Sequence, residues 1–294
     1  MLDFRYITFL ELCRTRNFTK TAEALNITQP AVSQHIKYLQ EYYQTKLFFY
    51  EGKKLQLTSK GKVLLDFVST IQADNTKLTE LLQSHNSLEV QLNFGATLSI
   101  GEYIMPKPIQ NLLLDNPTLH INMEVENTET LLSRLREGKL NFALIEGYFD
   151  KTKYASTLLM DAEFIGVCSP NSNLINTEFQ FENLLDRRLI LREKGSGSRD
   201  ILEQILHEHN LTVENFSSVI EIGNINAIKQ LINKDVGITF IYKAAVERAL
   251  EDGRLSQINI VGLPVYRQFN FVYLKNSQHE KEYLAWFKLI KKYL

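Results

Sequence analysis

Residues Asn17 to Leu39 constrain this chain more than any other stretch, because they read as two short helices joined by a tight turn, with one apolar face and one polar face. Thr19 is expected to cap a helix running through Ala22 and Leu25, and Thr28 to cap the next. Pro30 falls in the first turn of the second helix, where its missing N–H has no intrahelical acceptor to lose. At about 100° per residue, Val32, Ile36, Leu39 and Tyr43 share a face, while Pro30, Ser33, Gln34 and Lys37 lie opposite. The first set packs and the second is free to touch something else. Hydroxyls and carboxamides near a helix N-terminus suit base edges in a major groove, because they both donate and accept, and a lysine reaches phosphate or guanine. Gln29, Ser33 and Gln34 are the expected base readers, with Thr19, Lys20 and Lys37 around them. A helical hairpin that binds protein is the alternative reading.

Charge supports the nucleic-acid reading. Residues 1–62 hold ten Lys or Arg against five Asp or Glu, a balance of +5, and the net charge of −1 leaves −6 on the remaining 232. Phosphate attraction belongs to the first end alone. The length of 294 residues and 44% hydrophobic content imply two or three domains.

The ordered run Phe18-Thr19 with Ala22, Thr28-Gln29-Pro30-Ala31-Val32-Ser33-Gln34, Ile36, Leu39, Leu47-Phe48, and Leu57-Thr58 before Gly61 resembles the winged helix-turn-helix of LysR-type transcriptional regulators. Four positions depart from the pattern. The family usually carries Glu at Gln40, Leu at Tyr43, Gly at Gln44 and Arg at Tyr50. Gln44 replaces a residue that relaxes a helix exit, so strain is expected there. The Tyr50 change removes a phosphate contact, which Lys53 and Lys54 at the tip of a wing from Leu47 to Leu57 can restore.

From Ser59 to about His85, Leu64, Val68, Ile71, Asn75, Leu78 and Leu82 alternate at spacings of four and three, a coiled-coil seam. Asn75 is either a buried amide that fixes pairing or a solvated residue on a frayed stripe. The resemblance implies a linker helix through which protomers dimerise, presenting two recognition helices to half-sites about 34 Å apart or a multiple of that.

Short strands and helices then alternate: a strand at Val90–Phe94, a helix near 103–114, strands at 119–125 and 141–145 around a helix at 129–138. A second set follows, with strands at 164–168, 189–192, 217–222 and 237–241, helices at 198–210 and 226–233, a strand at 268–274 and a helix at 280–293. The fold class expected is multidomain. It comprises a winged helix-turn-helix (all-α with a small β wing) over 1–58, a linker helix over 59–87, and an α/β effector domain over 88–294. By the resemblance, that domain is like a periplasmic binding protein, with lobe I at 88–161 and 267–294 and lobe II at 162–266. Ligands of such lobes sit at strand carboxyl ends, in the crevice between them.

Three loops carry suitable polar groups: Ala96 to Ile100, Glu193 to Arg199, and Gly223 to Asn226. Their hydroxyls and free helix-start N–H groups favour a small anion, although each loop alone is also ordinary capping. Arg199 can pair an oxyanion or support the hinge through a carboxylate. The resemblance places the effector at Thr97, Ser99, Ser196, Ser198 and Asn226, with Thr239 opposite. Glu146, near a strand end, reads as a solvated carboxylate, with a crevice-facing acceptor as the other reading.

Other chemistry lacks its parts. The 195–199 run has neither a dinucleotide fingerprint nor a P-loop, and no nucleophile elbow occurs. His207 and His209 point to different helix faces, so neither a metal site nor a cofactor is expected. Cys13 and Cys168 do not form a disulfide framework and read as packing residues in a reducing cytoplasm. No apolar run is long enough for a membrane span. The expected protein is a non-enzymatic, sequence-specific regulator whose partners are double-stranded DNA, a small effector, itself as dimer and tetramer, and RNA polymerase. The competing class is a cytosolic solute-binding protein or enzyme whose N-terminal helices only dimerise it.

Overall fold

The structure is a computed structural model that describes residues 2–83, 91–175 and 177–294. His85 and Val90, expected at the ends of a helix and a strand, lie outside them. The chain divides into two compact units. One comprises residues 1–85 with 136–139 and 274–279, and the other comprises the remainder.

The first unit begins with α1 (Phe4–Thr15), α2 (Phe18–Ala24) and α3 (Gln29–Tyr42). A hairpin of β1 (Phe48–Glu51) and β2 (Lys54–Leu57) follows, then α4 (Ser59–Gln83). The cap of α2 corrects the expectation placed on Thr19. Asn17 is extended at φ −151° and its side chain accepts from Lys20 N at 3.0 Å, so the helix starts at Phe18 and Thr19 is already inside it. Asn ranks above Thr as an N-cap, and it arrives two residues earlier. Thr28 caps α3 as expected, accepting from Ala31 N at 3.3 Å, and Pro30 sits in the first turn.

Val32, Ile36 and Leu39 are buried, and the last two pack with Phe9, Leu12, Leu47, Phe48, Leu55, Leu64 and Val68. Each such burial contributes about 1.5–3 kcal/mol. Tyr43 does not join them: it is 39% exposed, and its hydroxyl is 2.7 Å from that of Tyr6. Because that hydroxyl needs a partner, the ring stays at the rim of the core. Gln44 takes a left-handed backbone, φ 49°, where the family pattern has glycine. An added Cβ at Gly61 would lie 2.2 Å from Leu47 O, which explains why a glycine follows the wing.

The seam residues of α4 divide. Leu64 and Val68 belong to the core just described. Ile71, Leu78 and Leu82 are exposed, and Asn75 is half-buried. Val63 and Phe67 are exposed as well, at 66% and 62%. Midway along the helix, Asp74 accepts from Ser277 Oγ at 2.6 Å and from Gln278 N at 2.9 Å.

The second unit contains β3 (Gln91–Ala96), α5 (Leu98–Tyr103), α6 (Pro106–Asp115), β4 (His120–Val125), α7 (Thr128–Arg136), β5 (Phe142–Ile145) and β6 (Tyr154–Cys168). It continues with β7 (Glu178–Phe179), β8 (Arg188–Leu191), α8 (Gly197–Glu208), β9 (Ser218–Glu221), α9 (Ile225–Asn233) and β10 (Thr239–Tyr242). It closes with α10 (Lys243–Glu251), β11 (Ser256–Ile260), β12 (Val265–Leu274) and α11 (Glu280–Lys292).

The main sheet runs β4-β3-β5-β12-β6-β11-β7, with β10 also paired to β6, while β8 and β9 form a parallel pair. Strands β3, β4 and β5 are parallel and their crossovers carry helices, as βαβ units require. The single helix expected near 103–114 is two, α5 and α6, because Pro106 starts a new helix at its first position. Strand β6 is 15 residues long and begins well before the expected 164. It and β12 run straight through the expected lobe boundaries at 161–162 and 266–267, so strands, and not loops, connect the two halves.

Candidate nucleic-acid interface and effector crevice

The polar face of α3 is available. Gln29, Pro30, Gln34 and Lys37 are exposed and Ser33 is half-buried, with Gln29 Nε2 donating to Ser33 Oγ at 3.0 Å. Lys37 and Glu41 form a loose exposed pair at 3.7 Å that leaves the ammonium free to exchange partners. Thr19 and Lys20 are exposed on α2. At the wing, Glu51 pairs with Lys54 across the two-residue turn Gly52-Lys53, and Gly52 supplies φ 61°. Lys53 and Lys54 are exposed there, beside Tyr50. Arg16, which the sequence reading passed over, bridges from the end of α1 to the wing by donating to Gln56 Oε1 at 3.2 Å.

In the second unit, β3 ends at Thr97, whose N–H donates to Leu144 O and whose Oγ1 accepts from Glu146 N at 3.4 Å. Thr128 Oγ1 donates to Glu146 O at 3.1 Å. These bonds pin the end of β5 against the starts of α5 and α7. The loop before α8 lies against the same point: an added Cβ at Gly147 would be 2.8 Å from Gly197 Cα, and one at Gly197 would be 2.9 Å from Glu146 Cγ. Only glycines allow so close an approach of two backbones.

Thr97, Ser99, Ser196, Ser198 and Thr239 are all buried. Ser196 and Ser198 share a hydrogen bond at 3.0 Å, and Ser196 makes no side-chain bond to the start of α8. Asn226 is exposed at the rim, accepting from Tyr103 OH at 3.1 Å, while Lys229 stands over the Tyr103 ring. Arg199 does not follow the oxyanion reading. Its guanidinium holds Glu203 at 2.7 Å, Glu221, and the carbonyl of Arg192, and these carboxylates occupy its charge.

Glu146 corrects the expectation of a solvated carboxylate. It is 1% exposed, and burial pushes its carboxyl up to about 7, against the opposing influence of the Ser99 hydroxyl and the Arg192 charge. Arg192 is equally buried and forms a bidentate pair with Glu193, both bonds 2.8 Å. Among the described residues, Glu146 Oε2, Arg192 Nη1 and Tyr242 OH are buried without a hydrogen-bond partner, and Ser99 Oγ has none beyond the Glu146 carboxyl. A packed core avoids such groups, so three together beside Ser99 mark a place built for something polar. The sequence reading missed Arg192 and Tyr242, which follow or end apolar strand runs; a polar residue at the carboxyl end of a buried strand was the available signal. An open cleft of about 420 Å³, lined in part by Tyr148, Tyr266, Arg267 and Asn270, shares none of the expected effector residues.

Cys168 is buried, its thiol raised to about 11 by that burial, and Cys13 is half-buried against the helical core. No metal-binding cluster is found among the described residues, and no helix among them is long and apolar enough to cross a membrane.

Comparison with known proteins accounts for both units. Residues 5–62 match the "Bacterial regulatory helix-turn-helix protein, lysR family", and residues 85–294 match the "LysR substrate binding domain". The chain belongs to the LysR family. It is 25% identical over 287 residues to the HTH-type transcriptional regulator CysL of Bacillus subtilis, covering 96% of this chain and 95% of that one. It is 27% identical over 283 residues to the HTH-type transcriptional activator CmpR of Synechocystis, covering 93% and 90%. A cysteine mutant of OxyR from Corynebacterium glutamicum has the same fold, with a TM-score of 0.61 at 22% identity, covering 98% of this chain and 90% of that one. The Synechocystis CcmR regulatory domain in complex with 2-PG superposes with a TM-score of 0.62 at 20% identity, covering 69% of this chain and 98% of that one. This LysR-family protein is thus a DNA-binding transcriptional regulator with an effector-binding domain, and the solute-binding or enzymatic alternative finds no support.

Proposed function

We propose that this regulator reads operator DNA through α3 and responds to a small anion held between two lobes of its second unit. Gln29, Pro30, Ser33 and Gln34 contact base edges; Thr19, Lys20, Lys37, Lys53 and Lys54 contact the phosphate backbone. The exposed apolar stripe of α4, which includes Leu78 and Leu82, pairs two protomers and so presents two recognition helices to a two-fold site. Further assembly through the effector domain gives a tetramer that contacts RNA polymerase in the cytoplasm. The lobes are residues 88–161 with 267–294, and 162–266. Thr97, Ser99, Ser196, Ser198 and Thr239 hold the anion, Asn226 closes over it with Tyr103, and Arg199 braces the wall through Glu203 and Glu221.

The observation that carries the effector reading is the set of buried, unpartnered polar atoms on Glu146, Arg192 and Tyr242. The effector acts by binding one arrangement of the protein more tightly than another. Operator fragments selected from random duplexes by the full-length protein provide the substrate for the test. Ser33→Ala plus Gln34→Ala is expected to lose the selected sequence while keeping salt-sensitive binding to unrelated DNA. Retained preference in that variant rules out the assigned readers.

A further inference from the structure

We infer that the crevice selects an anion that carries a hydrogen-bond donor of its own, and that Glu146 is the residue that selects it. The inference rests on the effector reading proposed above and specifies the ligand class. Donors dominate one side of the site. Arg192 Nη1 is buried without a partner, Ser99 Oγ faces the Glu146 carboxyl, and the Ser196 and Ser198 hydroxyls lie at the first turn of the 12-residue α8, whose N–H groups before Arg199 have no intrahelical acceptor. That arrangement calls for an acceptor with negative charge.

Glu146 stands in the same space, its Cγ against Gly197 at the start of α8 and its Oε2 without a partner. Ser99 on α5, Arg192 and Glu193 after β8, and Tyr242 at the end of β10 surround it, and Arg267 and Tyr148 lie beyond Tyr242. Arg192 offsets the charge of Glu146 only in part, because its Nε and Nη2 are committed to Glu193. A fully deprotonated oxyanion placed here would bring its lone pairs against those of the carboxylate. An O–H or N–H on the ligand converts that repulsion into a hydrogen bond and satisfies Oε2, while the ligand's remaining oxygens accept from Arg192 and the serines. Burial raises the Glu146 carboxyl to about 7, so at pH 8 it is mainly an acceptor and the selection is sharpest.

Matched pairs of probes test this on the full-length protein at pH 8. Hydrogen phosphate carries an O–H that sulfate lacks, and glycolate one that acetate lacks. Thermal shift and calorimetric titration are expected to favour the donor-bearing member of each pair by up to roughly tenfold, since at pH 8 Glu146 can take up a proton for the other member at a cost of about one pH unit. In Glu146→Gln, whose carboxamide can donate, the preference is expected to shrink to within about threefold. Equal binding of the two members by the wild type overturns the inference but leaves the crevice intact, and this comparison stands whether or not the variant folds. An undiminished preference in a folded Glu146→Gln also overturns it. If no probe stabilises the wild type, the anion-crevice reading falls with it.

Discussion

Replacing Glu146 by Gln tests the buried carboxyl without any ligand. Burial moves its acid range from the ordinary 4.5 to about 7. Between those values the folded chain holds a proton that the unfolded chain releases, so Glu146 subtracts stability as pH rises through this window. The cost is near zero below about pH 4.5 and complete above about pH 7. At about 1.4 kcal/mol per pH unit it comes to somewhat more than 3 kcal/mol at pH 8, but only a little over 1 kcal/mol at pH 5.5. Gln keeps the shape and never ionises. Any constant effect of the amide cancels when two pH values are compared, so Glu146→Gln is expected to gain about 2 kcal/mol more at pH 8 than at pH 5.5. For a unit of about 200 residues that is roughly 4–8 °C in Tm. Calorimetric melts of the full-length wild type and variant at both pH values read the difference directly. A Tm offset that is the same at pH 5.5 and pH 8 refutes the reasoning, because it means that no proton is held by the folded state at this position.

Removing both wing lysines, Lys53→Ala plus Lys54→Ala, is expected to flatten the dependence of log affinity on log salt by about two for each bound protomer, at about 0.9 per phosphate neutralised; an unchanged slope in filter-binding titrations removes the wing from the interface. Asn17→Ala is expected to cost about 1 kcal/mol through loss of the α2 cap, while Thr19→Ala stays within about 0.5 kcal/mol. Urea titrations separate the two, and the reverse ranking would restore Thr19 as the cap. Gln44→Gly relieves a left-handed backbone and is expected to stabilise the first unit by about 1 kcal/mol; a loss of stability in the same titration would show that the Gln44 side chain makes contacts worth more than the strain.

Where helix signals were strong and local, they were readable from sequence. Thr28 followed by Pro30, and Val32, Ile36 and Leu39 at helical spacing, specify α3 because capping and burial act within a few residues. The alternation of βα units was legible for the same reason, whereas the wing was expected only through the family resemblance. Three elements escaped, one of them the two-residue strand β7. Helix α10 follows β10 with no linker, Tyr242 serving as its N-cap without a side-chain cap bond, so no boundary announces it. Strand β11 has only Ile258 and Ile260 buried in five residues, too short an alternation to stand out.

At the site, hydroxyl loops were visible because they punctuate the chain. Glu146 was placed in solvent because an isolated carboxylate usually is. Its burial depends on Thr97 and Thr128 holding its backbone and on α8 arriving from 50 residues away, and no local pattern encodes that meeting. Arg199 shows the reverse case. Its neighbours in space, Glu203 and Glu221, answer a question that its neighbours in sequence left open.

The contact of Gly147 with Gly197 has a consequence for how such a regulator could change its set point. Two bare backbones meet where the polar floor is sealed, and a single methyl group on either one would strike main-chain atoms that no rotamer can move aside. An alanine there would act as a doorstop, holding the halves ajar without replacing any hydroxyl proposed to bind the ligand or any side chain proposed to read DNA. One-base mutations from glycine to alanine at these two codons are therefore a short evolutionary route to a regulator deaf to its signal yet still able to find its operator.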